Sequence, residues 1–277
     1  MAEVYALRVR IKFSKFDTMR FIGHLDVMRY FQRLFRRSGL PVKYTEGYHP
    51  HQIMSFAQPL GLGLTSDGEY LDTEFDEEIP TDLIAEKMRS VLSHGFDIRS
   101  AFRLADREVN KKIVTSMSLI SRAVYLLILK DGDGEGLKEH IPVEKLKEIL
   151  GKEKLNIVKK TKKGEKEIDL KEYIYETYYS GDGLETLEEI YVSNHSTPVV
   201  NKKMLFDGSV HAPEFCAGEY LIVSLSAGSE TNISPDLFME SVFADAGIRL
   251  SKNDFRIHRV ELYGGTPEES VPLCLIP

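Results

Sequence analysis

The stretch between Phe13 and Gly63 decides how this chain folds, and it reads FSKFDTMRFIGHLDVMRYFQRLFRRSGLPVKYTEGYHPHQIMSFAQPLGLG. From Gly23 onward its apolar side chains recur with the 3.6-residue period of a helix that buries one face. Gly39 suits the position after the last helical turn, and Pro41 prevents continuation. We therefore predict an amphipathic helix over about residues 23–38, whose apolar arc comprises His24, Leu25, Val27, Met28, Phe31, Leu34 and Phe35.

The opposite side of this helix carries a stripe of arginines, Arg29, Arg33, Arg36 and Arg37. Arg29 and Arg33 are four residues apart, and like charges at that spacing cost about a few tenths of a kcal/mol in an isolated helix. Asp26 relieves only part of this repulsion. The stripe is therefore either a solvated outer face or a surface that contacts an anionic partner.

Two histidines are the candidates for acid–base chemistry. His24 lies at the start of the helix, next to backbone N–H groups that favour an anion, and an imidazole there is within reach of a substrate as a general base. His51 follows Pro50 in the loop after the helix. The alternative for His24 is a partly buried histidine that bonds to the backbone.

The loop after the helix combines aromatic residues with histidines. Tyr44, Tyr48 and His49 suit base stacking and phosphate neutralisation, and Ser55 adds a hydroxyl that can steady a phosphate. The alternative is that the aromatic side chains pack the loop onto a sheet. His49 and His51 point to opposite sides of an extended chain, and no acid or cysteine at metal-ligand spacing joins them. We therefore expect neither a metal site nor a cofactor.

The same region carries a family signature, RFIGHLDVMRYFQRLFRRSGLPVKYTEGYHPHQIMSFAQPLGLGLTSDGEYLDTEF. This run resembles the start of the radical-SAM-linked protein family, a bacterial domain family of unknown function found next to, or fused to, a B12-binding radical SAM protein. The sequence departs from the family pattern at Gly23, His49 and Gln52. The resemblance is close over about residues 5–105 and looser to about 263. The resemblance implies a radical SAM partner but does not supply an activity. The positions that match the family pattern are His24, Leu25, Asp26, Met28, Arg29, Pro50, His51, Ser55, Phe56, Pro59, Leu60 and Gly61.

The composition narrows the class of protein. No stretch of about 18 apolar residues is present, and the start of the chain lacks the apolar core of a signal peptide, so we expect no membrane span and a cytoplasmic location. Cys216 and Cys274 are isolated, which favours a reducing compartment. The chain lacks the Cys-x-x-x-Cys-x-x-Cys motif, so we assign any radical SAM chemistry to a partner. Residues 1–60 carry +6 and the remainder −13, which is a hint of an anionic partner for the amino-terminal part.

The pattern of elements predicts an α+β fold with two ferredoxin-like (βαββαβ) domains in tandem. In residues 1–105 we expect strands at 5–13, 42–46, 53–57, 69–75 and 96–104, with helices at 23–38 and 81–92. The alternation of apolar and basic residues predicts that the first strand is half-buried, and a turn at Ser66, Asp67 and Gly68 precedes the strand at 69–75. A polar segment at 105–118 marks the domain boundary. The second domain, 119–277, has strands at 122–130, 220–226 and 255–263, helices at 143–150 and 235–246, and a hairpin turning at Lys162, Lys163 and Gly164.

Three functions are compatible with these patterns. The first is an RNA-binding accessory protein that presents substrate to the radical SAM partner. The second is a metal-independent RNA-processing endonuclease, by analogy of fold with the CRISPR RAMP proteins, in which His24 or His51 deprotonates a 2′-hydroxyl and Arg29 or Ser55 steadies the phosphate. The third is a protein-interaction module that binds no nucleic acid and docks its arginines on an acidic surface of the partner.

Overall fold

The computed structural model of the chain describes residues 6–105, 108–109, 112–130, 137–161, 164–180, 187–195, 219–229, 231–266 and 269–277. The contacts within the chain divide it into two units. Unit 1 comprises Met1–Ile120, Glu261–Gly264 and Val271–Pro277, and unit 2 comprises Ser121–Val260 and Gly265–Ser270. Residues near the end of the sequence therefore contribute to both units.

Unit 1 is built on an antiparallel sheet whose central strand is β1. β1 pairs with β3 on one side and with β4 on the other, and the short β2 pairs with the far edge of β3. The strand order is therefore β4-β1-β3-β2, and a strand near the end of the sequence, β13 (Phe255–Gly265), also lies beside β3. The elements are β1 (Leu7–Lys15), α1 (His24–Ser38), β2 (Met54–Phe56), β3 (Thr65–Phe75), α2 (Thr81–Arg89), β4 (Phe96–Arg103), β5 (Glu108–Val109), β6 (Lys112–Ile113) and α3 (Ser116–Leu119).

Aromatic side chains form the centre of the unit 1 core. Phe13 on β1 meets Phe31 of α1 with 4.6 Å between the ring centroids and Phe56 of β2 with 6.0 Å. Tyr30 stacks on Phe96 at 4.5 Å. Offset and edge-to-face pairs of this kind add about 0.5–1.5 kcal/mol each beyond area burial. The buried arc of α1 therefore fixes the helix on one face of the sheet, with its arginines turned away from the core.

The basic face of β1 is buried. The alternation of apolar and basic residues indicated a half-buried strand, but Arg10 is 1% exposed and donates to both carboxylate oxygens of Asp72, at 2.9 and 3.3 Å. Arg10 also donates to the carbonyl oxygens of Leu273 and Ile276, each at 2.9 Å. The half-buried interpretation was wrong because these partners lie far away in sequence and local periodicity does not reveal them.

Lys12 extends this buried network. Its ammonium group donates to Glu261 at 2.5 Å, and the other oxygen of Glu261 accepts from the Tyr70 hydroxyl at 2.7 Å. Burial acts to lower the pKa of Lys12, but the Glu261 carboxylate outweighs it, so the pKa lies above the usual lysine value. Lys12 is therefore a charged structural residue.

Strand β3 begins earlier than the sequence indicates. Ser66, Asp67 and Gly68 were expected to form a turn before a strand at 69–75, yet β3 starts at Thr65. The register pairs Lys15 with Ser66 and Phe13 with Glu69, with an irregularity between Phe13 and Lys15. Pairing with β1 therefore overrides the turn propensity of Ser66, Asp67 and Gly68, and the side chains of Ser66 and Asp67 become buried.

The strands of unit 2 lie in the order β11-β10-β12-β7-β13, and β12 pairs antiparallel with both β10 and β7. The hairpin of β8 and β9 forms a separate two-stranded sheet. The predicted helix at 235–246 is divided between α6 and a π-helical turn at Met239–Phe243. The elements are β7 (Ile120–Leu129), α4 (Leu137–His140), α5 (Val143–Gly151), β8 (Asn156–Thr161), β9 (Gly164–Asp169), β10 (Ile174–Ser180), β11 (Leu187–Val192), β12 (Tyr220–Ser226), α6 (Pro235–Phe238), β13 (Phe255–Gly265) and β14 (Ser270–Pro272).

The chain thus has a mixed α/β structure dominated by β-sheet, which confirms the predicted class. None of the helices in the described part of the chain is long and apolar enough to cross a membrane.

Candidate functional site

The arginine stripe of α1 is exposed, and its four members differ in what they contact. Arg29 pairs with Asp26 at 3.3 Å, and Arg37 donates to the carbonyl oxygen of Val91 at 2.9 Å. Arg33 and Arg36 make no hydrogen bond or ion pair with any described residue. Because they are three residues apart, they lie on the same side of the helix. Two uncompensated guanidinium groups are therefore available to an anion.

Three other basic side chains of the first 60 residues pair with carboxylates within unit 1, and a fourth binds backbone carbonyl groups. Arg10 and Lys12 have buried carboxylate partners, and Lys43 pairs with Glu74 at 3.4 Å. Arg8 donates to the carbonyl oxygens of Ala105 and Val114. The positive excess that the sequence indicates is therefore concentrated on the exposed side of α1.

The loop after α1 forms an irregular hairpin with an exposed tip. Tyr44 and Gln52 form a bridge, and the amide of Thr45 donates to the carbonyl oxygen of His51 at 2.8 Å. Gly47 turns the chain with φ of 111°, a conformation that favours glycine. Tyr48 is 101% exposed. An aromatic ring without intramolecular cover is suited to stacking on a partner.

His49 and His51 are both exposed on this hairpin. The Nδ1 atom of His51 lies 3.0 Å from the Thr45 hydroxyl, and the same hydroxyl accepts from the His51 amide at 3.1 Å. These bonds fix the His51 ring and leave its Nε2 without a hydrogen bond to any described residue. His51 is therefore held as a surface ligand or base.

His24 occupies a different environment, at the first position of α1. Its ring meets the edge of Phe56 with 5.2 Å between centroids. Burial lowers the pKa of His24 below the usual histidine value, Glu69 acts to raise it, and Lys15 acts to lower it further. The imidazole is consequently neutral near pH 7, which is the form that accepts a proton.

Lys15 and Glu69 accompany His24 and were not singled out by the sequence. Lys15 is 1% exposed and donates to the carbonyl oxygen of Ile22 at 3.0 Å, whereas Glu69 is 4% exposed. The register between β1 and β3 places Glu69 opposite Phe13, on the side where α1 packs. In the sequence, the only indication of this environment is Lys15, the charged residue that ends β1 and interrupts the apolar alternation of that strand.

The sheet separates Ser55 from His24. Ser55 lies opposite Asp72 in the register, and Asp72 bonds to Arg10 on the face away from α1. Cross-strand partners share a face of the sheet, so Ser55 lies on the side opposite to His24. The structure therefore does not bring Ser55 together with the α1 arginines.

The two candidate histidines are likewise not joined. No hydrogen bond or ring contact links His24 with His51, and no three histidine, cysteine or acidic side chains are arranged to hold a metal ion, in the part of the chain that the structure describes. The arrangement offers a basic and aromatic surface on α1 and the hairpin, and separately a neutral imidazole at the start of α1.

These features define a mixed α/β protein with an exposed cationic helix and an aromatic hairpin. The sequence matches the model of a family described as "Uncharacterized protein conserved in bacteria (DUF2344)" over residues 8–202. The chain therefore belongs to this bacterial family. No curated protein matches it.

Proposed function

We propose that this protein is an RNA-binding accessory protein that contacts RNA through α1 and the hairpin at residues 44–51. The observation that carries the proposal is the pair Arg33 and Arg36, exposed on one side of α1 without an intramolecular anion. Guanidinium groups bind phosphate groups through paired hydrogen bonds, as they also bind carboxylates. Arg29 and Arg37 border this pair.

The hairpin supplies the second part of the proposed surface. Tyr48 is fully exposed and Tyr44 is 45% exposed, and exposed aromatic rings stack on unpaired bases. His49 and His51 add polar groups beside them. The proposed substrate is therefore single-stranded or looped RNA. Ser55 is not part of this surface, since it lies on the other face of the sheet.

We further propose that the protein presents the bound RNA to a radical SAM enzyme. This step rests on the resemblance of the α1 region to the radical-SAM-linked family and on the absence of the cluster-binding cysteine motif from the sequence. The chemistry would then belong to the partner, with this chain as the RNA-positioning component.

A salt series tests RNA binding. The double variant Arg33→Gln/Arg36→Gln removes two phosphate contacts, so the log–log slope of affinity against salt becomes less steep by about 1.4. The change in affinity between about 50 and about 200 mM salt then shrinks by about sevenfold. The double variant Lys145→Gln/Arg256→Gln is the control, because it makes the same change of net charge outside α1 and the hairpin, at exposed side chains without an ion pair among the described residues.

Two results would overturn the proposal. An RNA affinity and slope equal in both double variants would show that α1 is not the contact surface. If the wild-type protein does not bind RNA at low salt, the protein-interaction function takes its place, and nuclease-resistant binding to an acidic protein partner becomes the next observation to seek.

A second candidate function is RNA cleavage by His24, and the neutral imidazole beside Lys15 and Glu69 favours it. In this mechanism the imidazole takes the proton of a ribose 2′-hydroxyl as that oxygen forms a bond to the adjacent phosphorus. The bond from phosphorus to the 5′-oxygen breaks, the 5′-oxygen takes a proton from water, and a 2′,3′-cyclic phosphate remains. Incubation of end-labelled RNA with purified protein, with His24→Ala and with His51→Ala tests it. Cleavage that persists in both variants would exclude these histidines as the base.

We also propose the finer description of the fold as two ferredoxin-like domains in tandem, at 1–105 and 119–277. In unit 1 the strands lie in the order β4-β1-β3-β2, that is, fourth, first, third and second along the chain. The strands β13-β7-β12-β10 of unit 2 follow the same order, which supports this description. An experimental structure that gave either unit a different strand order would contradict this description.

A further inference from the structure

The β8–β9 hairpin of unit 2 has a charge distribution that the proposed surface on α1 does not use. Its strands pair only with each other among the described residues. In the antiparallel register Lys159 lies directly opposite Lys166. Like charges directly opposite each other destabilise a strand pair, so this arrangement calls for an anion nearby.

The hairpin itself does not supply that anion on the lysine side. Because side chains alternate along a strand, the face with Lys159 and Lys166 continues to the pair Ile157–Ile168. The other face carries Glu167, which lies opposite Val158, and Asp169, which lies opposite Asn156. Asp169 is bonded to the amides of Leu155 and Lys171. The lysine face thus lacks a carboxylate from its own strands.

The contacts of the two lysines are limited. Lys159 donates to the carbonyl oxygen of Asn232 at 2.8 Å. Lys166 is exposed and makes no hydrogen bond or ion pair with any described residue. Burial and the neighbouring Lys166 lower the pKa of Lys159 below the usual lysine value. A bound anion would relieve this repulsion.

The net charge of this hairpin is positive, whereas the net charge of the chain after residue 60 is negative. The hairpin, residues 156–169, contains five lysines and three acidic residues, a net charge of +2, whereas residues 61–277 together carry −13. A basic element on an acidic background is a positional signal for a polyanion. The predicted turn residues Lys162 and Lys163 lie outside the described part of the structure.

We propose that the face of the β8–β9 hairpin with Lys159 and Lys166 is a second phosphate-contacting surface for RNA. The proposal rests on the proposed function, because it assigns a further contact to the same ligand. A flexible ammonium group contacts phosphate as a point charge. The hairpin therefore adds affinity and salt dependence without base specificity.

Lys166→Glu tests the proposal through two readouts of opposite sign. The substitution replaces a like-charge pair with an opposite-charge pair, so the thermal unfolding midpoint of the free protein rises. The same substitution removes a phosphate contact and adds a repulsive charge, so binding to an unstructured single-stranded RNA weakens. The slope becomes less steep by at least about 0.7, and the change in affinity between about 50 and about 200 mM salt shrinks by about 2.6-fold or more.

Lys145→Glu is the matched control, because Lys145 is exposed on α5 in the same unit and makes no ion pair among the described residues. It is expected to leave the salt slope unchanged. An equal loss of binding in both variants would show a general charge effect and overturn the inference.

The remaining outcomes separate this inference from the proposed function. If the wild-type protein binds RNA and Lys166→Glu retains its affinity and slope, the hairpin inference is wrong while RNA binding by α1 stands. If the wild-type protein binds no RNA, both fail together. A rise in stability without any change in RNA binding would show that the lysine pair has only a structural effect.

Discussion

The buried pair of Arg10 and Asp72 leads to the sharpest stability prediction. Asp72→Asn keeps the size of the side chain and removes its charge. Asp72 accepts from the Arg10 Nε and Nη2 atoms at 2.9 and 3.3 Å and from the Ser116 amide at 2.8 Å. An asparagine offers one acceptor oxygen and turns its NH₂ group towards one of these donors. The guanidinium group is then left buried without a counter-charge.

The expected cost follows from that geometry. Arg10 and Asp72 have side-chain exposures of 1% and 8%, and breaking a buried ion pair by removing one partner costs about 3–5 kcal/mol. This is a large share of the total stability of a domain, about 5–15 kcal/mol. The variant should therefore fold only marginally, although it changes no residue of the proposed RNA surface.

Urea unfolding measures this cost. Because the chain contains no tryptophan, the transition is followed by circular dichroism, and the midpoint should fall by more than about 1 M. Glu78→Gln is the matched control. It breaks the Arg103–Glu78 pair, whose side chains are 63% and 59% exposed, and exposed pairs contribute about 0–1 kcal/mol. Equal shifts in both variants, or a loss below about 1 kcal/mol for Asp72→Asn, would refute the buried-pair interpretation.

Two further predictions concern unit 1. The His24 ring should titrate below its unperturbed pKa of about 6.5 in a proton NMR titration, and Glu69→Gln should lower the pKa further, because Glu69 acts to raise it. Because the unfolded state then binds more protons than the folded state, the contribution of His24 to stability is lost as the pH falls below about 6.5. A titration midpoint of the His24 ring above about 6.5 would contradict the prediction. Gly95→Ala should cost about 1–3 kcal/mol, because Gly95 has φ of 93° and an added Cβ would lie 2.4 Å from Met19 Cγ. A thermal midpoint equal to that of the wild-type protein would show that this turn tolerates a side chain.

The sequence predicted the elements whose signals are local. Helix α1 was expected at about 23–38 and runs from His24 to Ser38, because a strong apolar arc and the terminating Gly39 both lie within the segment. Helix α2 was expected to reach Leu92 but ends at Arg89. Helix ends are weakly determined by periodicity, and Ser90 and Val91 still continue with turn-like hydrogen bonds.

The features that depend on distant partners were not predictable in this way. The alternation of Arg8, Arg10 and Lys12 indicated a solvent face, and only the fold reveals that Asp72 and Glu261 neutralise the latter two. The extended segments expected at 42–46 and 53–57 became isolated bridges at Val42 and Tyr44 and the three-residue β2. Val42 and β2 pair with the edge of β3, whereas Tyr44 pairs with Gln52.

The sequence predicted only part of the candidate site, because some of its residues are brought together by strand pairing and not by local periodicity. The exposed arginines of α1 follow directly from the helical pattern. The environment of His24 does not, because Lys15 and Glu69 reach it only through the register between β1 and β3. The position of Ser55 also depends on that sheet, which places it on the face of Asp72. Residue type alone could not distinguish these outcomes.

Crosslinking tests the central claim, RNA binding by α1 and the hairpin, most directly. Photocrosslinking of thiouridine-labelled single-stranded RNA to the wild-type protein, followed by mass spectrometry, identifies the contacted peptides. We expect crosslinks at Tyr44 and Tyr48 and in the α1 peptide with Arg33 and Arg36, and we expect them to diminish in Arg33→Gln/Arg36→Gln. Crosslinks that map only to other peptides, or a yield at Tyr48 that does not change in this variant, would contradict the account.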